Sequence, residues 1–249
     1  MGLTKHDEVV KRIVENMVGE EKGLMAVFLY GSVARGTNRV DSDIDLLAVV
    51  EAGEHRIKRF IFENIGVDLS IEDFRKIAWD VLRKKEDAIK SLGEGQLVYC
   101  RDPIIREIKQ HAEEQFLAGP APADPDVRAK KRVFYTNISS ELETRCHDDI
   151  TGLFLCEWAF YCIVVDYYLL NSRWMPKRDI IIDDLRERDS GFYARCRSFL
   201  LSDDPRARRT AIISMIEYLL RPIGGYIRDR WEIIYPDKEA LVVEAEEVT

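Results

Sequence analysis

Three carboxylates and one turn carry the chemistry that can be read from this chain. Asp43 and Asp45 flank Ile44 at the head of an apolar run, Ile44–Val50. Side chains two apart on a strand point the same way, so the two aspartates share a face while Ile44 and Leu46 turn to the core. Two adjacent carboxylates repel unless a cation lies between them, and hard oxygen donors suit Mg²⁺ or Mn²⁺. Gly31-Ser32 ends another apolar run, Leu24–Tyr30. Glycine lets a backbone approach a phosphate closely, N–H groups at a helix start attract anions, and Ser32 adds a hydroxyl. Asp68, between Val67 and Leu69, is the third acid. On a strand beside Ile44–Val50 it would face the same cations, hold a second one, or take a proton from an attacking hydroxyl. Together these residues describe a metal–triphosphate site of the two-cation kind that serves in-line phosphoryl transfer.

A Gly-Ser turn alone joins strands everywhere, and a lone Asp-x-Asp is an ordinary strand edge. Only their combination between apolar runs is informative. The elements that must position it follow from pattern. A helix starts near Thr4, with Val9, Val10, Ile13, Val14 and Met17 at helical spacing. Leu24–Tyr30, Ile44–Val50, Gly66–Ile71 and Gln96–Cys100 read as strands. Glu54–Glu63, Glu72–Lys85 and Pro103–Leu117 read as helices, the last opened by proline. Four of the eight prolines fall between residues 103 and 125, three of them inside Gly119–Asp126, which makes that segment the linker. Beyond it, Val127–Arg145, Ile150–Leu170, Lys177–Arg188, Gly191–Leu201 and Arg206–Tyr226 all favour helical period. The expected architecture is α+β over residues 1–119, a small mixed sheet flanked by helices, then an all-α helical bundle over 126–240. The acidic tail, Glu239–Thr249, reads as frayed.

Gly31-Ser32, then Asp43-x-Asp45 after ten intervening residues, then Asp68 on a following strand, resemble the DNA polymerase β-type nucleotidyltransferase superfamily. The segment GSVARG…SDIDL is similar to its small bacterial and archaeal members, among them aminoglycoside and lincosamide nucleotidyltransferases that append a helical domain. The resemblance is specific over residues 24–71. It implies transfer of a nucleoside monophosphate from an NTP, such as ATP, to a hydroxyl, with release of pyrophosphate. It implies Asp43, Asp45 and Asp68 as metal ligands and Gly31 and Ser32 as the triphosphate turn, with Arg35, inside the motif, beside a phosphate. The Trp174-x-Pro176-Lys177 stretch is similar to a helix-junction segment of some members, which implies that Lys177 reaches the phosphates.

The rest of the sequence narrows the partners. The chain of 249 residues carries a formal charge of −8, which disfavours nucleic acid, since phosphate contacts supply most of that affinity. An acidic surface suits a small cationic acceptor, and the helical domain is the place for it. Glu157, inside the apolar run LFLCEWAFY, must be paired or functional, and it is the second candidate for a catalytic base. Trp158, Phe160, Tyr161, Tyr167 and Tyr168 read as core aromatics. Cys146-His147-Asp148-Asp149 fits no standard zinc spacing and reads as a polar helix end. Five cysteines without a CxxC pair read as free thiols in a reducing cytoplasm. The N-terminus lacks an apolar signal core, and the longest apolar stretch, near Trp158–Val165, is short of a membrane span. Two other readings stand beside the small-molecule enzyme: nucleotidylation of a protein partner, as in antitoxin-like relatives, and a degenerate nucleotide-binding module. Homodimers are common in the resembled enzymes, and the sequence leaves that open.

Overall fold

The computed structural model describes residues 5–144 and 150–227. Thr4, the Cys146–Asp149 cluster and the acidic tail lie outside the described residues. Contacts divide the chain into two units, Met1–Ala121 and Pro122–Thr249, and the division falls inside the proline-rich segment.

The first unit is a mixed sheet with helices. Its elements are α1 (Lys5–Glu20), β1 (Leu24–Tyr30), α2 (Gly31–Arg35), β2 (Ile44–Val50), β3 (Arg56–Phe62), β4 (Ile65–Asp73), α3 (Phe74–Leu82), α4 (Glu86–Gly93), β5 (Gln96–Cys100) and α5 (Ile104–Ala118). The strand order is β3-β4-β2-β1-β5. β2 is parallel to β4, and the other neighbouring pairs are antiparallel. α1 buries Val9, Val10, Ile13, Val14 and Met17 against Val27, Leu29, Ile44, Leu46, Ala48, Val67 and Leu69 of the sheet. Each such side chain contributes roughly 1.5–3 kcal/mol. β1 and β2 are buried along almost their whole length, which is why they read as continuous apolar runs.

The sequence reading of Glu54–Glu63 as a helix is overturned. Arg56–Phe62 is an edge strand paired with β4. Glu63 and Asn64 both take positive φ, 50° and 63°, the geometry of a tight hairpin turn whose twist matches the strands it joins. A hairpin with β4 satisfies the backbone of this charged segment, where a helix would have had little apolar surface to bury. β4 also runs on to Asp73, whose side chain accepts from the Arg75 and Lys76 N–H groups and so starts α3 two residues after the expected Glu72. α4 fills a stretch left unassigned by periodicity.

The second unit is helical, as expected: α6 (Pro125–Thr144), α7 (Ile150–Leu170), α8 (Ile181–Arg188), α9 (Ser190–Leu200) and α10 (Pro205–Leu220), followed by a 3₁₀ turn at Arg221–Ile223. Asp189 and Asp204 cap α9 and α10, while Pro222 keeps α10 from reaching Tyr226. Its core gathers Tyr135, Leu142, Ile163, Tyr167, Phe192, Phe199, Ile212 and Met215, with Tyr167 stacked on Phe192 at 4.2 Å between ring centres. Tyr167 and Tyr168 are buried as expected, whereas Trp158 and Tyr161 stand exposed. α7, at 21 residues and mean hydropathy 1.6, is long and apolar enough by length and composition to cross a membrane. The uninterrupted apolar stretch within it is the one read near Trp158–Val165, bounded by Glu157 and Asp166. Here α7 sends Cys156, Ala159, Ile163 and Tyr167 into the core of the bundle.

Candidate functional site

The sheet topology sets Asp45 and Asp68 side by side, with Asp43 just before β2. β2 and β4 run parallel in a register that sets Asp45 beside Asp68 and Ile44 beside Val67. β1 runs antiparallel on the other side and sets Tyr30 opposite Asp45. Tyr30 is the residue before Gly31-Ser32, so the turn and the carboxylates meet at one place on the sheet. α2 begins directly at Gly31, as the strand-to-helix reading of that turn expected.

Two glycines make room for the carboxylates. Gly31 has φ +80°, and a Cβ there would overlap Asp45 Oδ2 and stand 2.9 Å from its Cγ. A Cβ on Gly66 would overlap Asp43 Oδ1 and stand 2.8 Å from its Cγ. Real Cβ contacts are never so close, so each glycine is a condition for the position of one aspartate.

The electrostatics of the site include a residue that the sequence reading missed. Arg59 Nη2 donates to Asp43 Oδ2 at 2.9 Å, and Arg59 Nε lies 3.2 Å from Asp68 Oδ1. Arg59 was hidden by the helical reading of its segment. Phe60 and Phe62, two apart and half-buried just after it, were the available signal. Burial, then the charges of Asp45 and Asp68, push the Tyr30 phenol up to about 12, so Tyr30 is a neutral hydroxyl beside the acids.

The remaining candidates are placed as follows. Arg35 reaches Glu94 at 3.5 Å, while its Nε and Nη2 are buried without a hydrogen-bond partner. Glu157 lies in the second unit, half-exposed, and accepts from Arg208 Nη1 at 2.7 Å; the pairing accounts for a carboxylate in an apolar run. Lys177 is exposed in the segment between α7 and α8.

Among the described residues, no three His, Cys, Asp or Glu side chains are gathered closely enough to form a ready-made cation cage. Asp43, Asp45 and Asp68 nevertheless fit a divalent cation by chemistry. They are hard oxygen donors on, or just before, two adjacent strands, two of them already share a positive group, and glycines keep Cβ atoms away from Asp43 and Asp45.

The sequence of residues 10–114 matches the nucleotidyltransferase domain family. Over those residues the chain is similar to nucleotidyltransferase domains. The match spans every strand and both glycines of the site, and it agrees with the resemblance carried by the Gly-Ser and Asp-x-Asp motif. No curated protein matches the sequence. Among solved structures, a nucleotidyltransferase-like protein from Exiguobacterium sibiricum 255-15 is similar at 14% identity and a TM-score of 0.47, with 86% of this chain and 74% of that one covered.

Proposed function

We propose that the nucleotidyltransferase domain moves a nucleoside monophosphate, AMP from ATP, onto a hydroxyl of a small-molecule acceptor and releases pyrophosphate. The observation that supports this reading is the register that sets Asp45 of β2 beside Asp68 of β4 and opposite Tyr30, the residue before the Gly31-Ser32 turn. Asp43, Asp45 and Asp68 would hold Mg²⁺ or Mn²⁺. Bound there, the cations supply charge neutralisation for the triphosphate and for the attacking oxygen.

The chain's own groups do the rest. Ser32 and the first N–H groups of α2 donate to the phosphates and set the nucleotide in line. Asp68 takes the proton of the acceptor hydroxyl. The acceptor oxygen forms its bond to the α-phosphorus as the bond to the bridging oxygen breaks, and pyrophosphate departs with that electron pair. Tyr30, neutral at working pH, donates to a neighbouring oxygen rather than adding a fourth negative charge. The net charge of −8 favours a cationic acceptor. The thiols of Cys100, Cys162 and Cys196 are free, which supports a reducing, cytoplasmic setting.

Calorimetric titration with ATP, with and without Mg²⁺, tests the reading. Binding that depends on Mg²⁺ and is lost in Asp43→Asn/Asp45→Asn supports it. The same binding in the double variant, or none with any of the four common NTPs, defeats it. Pyrophosphate release against a panel of hydroxyl compounds then finds the acceptor.

A further inference from the structure

The site carries a cation of its own. Arg59 stands on the edge strand β3, opposite Asp68 in the β3–β4 register. Its guanidinium spans Asp68 on β4 and Asp43 just before β2. Converging carboxylates need positive charge between them, and the planar fork of an arginine supplies it to two acceptors at once.

We propose that Arg59 is a built-in counter-ion of the resting site, and that a divalent cation must displace it from Asp43 and Asp68 in order to bind. This rests on the reading of the three aspartates as the cation-holding group. Two observations favour a displaceable counter-ion over a structural staple. First, β3 is anchored without it, by its antiparallel ladder with β4 from Arg56 to Phe62. Second, the Arg59 side chain is 71% exposed, and exposed ion pairs are weak enough to yield to a divalent competitor. Beside the acids lies a groove of about 650 Å³ lined by Val40, Ser42, Phe60, Ile61 and Arg59 itself. A guanidinium released there meets solvent, or the phosphates of an arriving nucleotide. The cation alone must break two ion pairs; a nucleotide compensates the released arginine. Cation and nucleotide therefore bind with positive coupling.

The test is Mn²⁺ titration of the full chain without nucleotide, read by the electron paramagnetic resonance of free Mn²⁺. The native chain is compared with Arg59→Gln, Arg59→Lys and Asp43→Asn/Asp45→Asn. Arg59→Gln is expected to bind Mn²⁺ about three- to tenfold more tightly, the scale of two exposed ion pairs. Arg59→Lys should resemble the native chain, and the double variant should lose binding. If the double variant loses binding while Arg59→Gln binds no more tightly than the native chain, the proposal is overturned and the site reading survives. If all four bind alike, or none binds, the site reading fails and takes the proposal with it. A second readout uses the native fold alone. The Nε–H resonance of Arg59, assigned by its absence in Arg59→Lys, should move to an exposed-guanidinium position on adding Mg²⁺. A resonance indifferent to saturating Mg²⁺ overturns the proposal even where Arg59→Gln fails to fold.

Discussion

Gly66 lies against Asp43 so closely that a Cβ on it would stand 2.8 Å from the Asp43 carboxyl carbon. The glycine is on β4 and the aspartate precedes β2, so the parallel pairing of two strands fixes where this carboxylate sits. Gly66→Ala, whose backbone is not in the left-handed region, should therefore fold and still displace Asp43. Pyrophosphate release should fall on the order of a hundredfold, as for other misplaced reacting groups, with melting within a few degrees of native. Gly31→Ala should be worse in both respects, because it adds left-handed strain of roughly 1–2 kcal/mol to the collision with Asp45.

Asp45→Asn separates function from stability. Turnover should drop on the order of a thousandfold. Melting of the cation-free chain should stay level or rise, because one of the adjacent like charges is gone. Loss of stability on this substitution would instead mark Asp45 as a structural acid.

Much of this site was legible in the order of residue types. Gly31, Ser32, Asp43, Asp45 and Asp68 stand out as candidates only in combination, because a strand alternates its faces and the turn and the acids fall between apolar runs. Arg59 was not legible, because the charged Arg56–Phe62 segment gives periodicity little to work with. The decisive feature, two consecutive left-handed residues at Glu63 and Asn64, is formed by residues other than glycine. Glu157 was legible as a paired acid, but the partner, Arg208, comes from a helix 51 positions away and no local pattern points to it.

Tyr30 offers a pH handle. Its phenol titrates at about 12, raised by burial and then by Asp45 and Asp68. An unfolded tyrosine loses its proton near 10, so this group's contribution to stability is whole below pH about 10 and declines as pH rises toward 12. Ultraviolet titration should show several late phenols, because burial also raises Tyr135, Tyr167 and Tyr168, and the earliest of these late steps should vanish in Tyr30→Phe. In Asp45→Asn it should move down only part of the way, since burial is the larger cause.

Asp166, 3% exposed, ties the helical unit together. It accepts from Tyr135 Oη at 2.7 Å and meets Lys131 Nζ at 2.8 Å. Tyr135→Phe should cost about 1–2 kcal/mol in chemical denaturation. Asp166→Ala should cost about 3–5 kcal/mol, because it strands a buried hydroxyl and a partly buried ammonium.

Glu157→Gln tests which acid takes the acceptor's proton. With Asp68 in that role, turnover should be unchanged and stability should move by less than about 1 kcal/mol, the scale of a half-exposed ion pair with Arg208. A collapse of turnover with intact ATP binding would transfer the role to Glu157.

The position of β2 in the sheet has a kinetic meaning. It is the central strand of five, and Ile44, Leu46, Ala48 and Val49 are fully buried. Backbone amides on such a strand exchange with deuterium only through the rarest openings of the unit, whereas an edge strand such as β3 exchanges through frequent local ones. Asp45 is thus mounted on the slowest-breathing strand of the unit, and Arg59 on one of the fastest. The acids stay set while the cation that quiets them comes and goes.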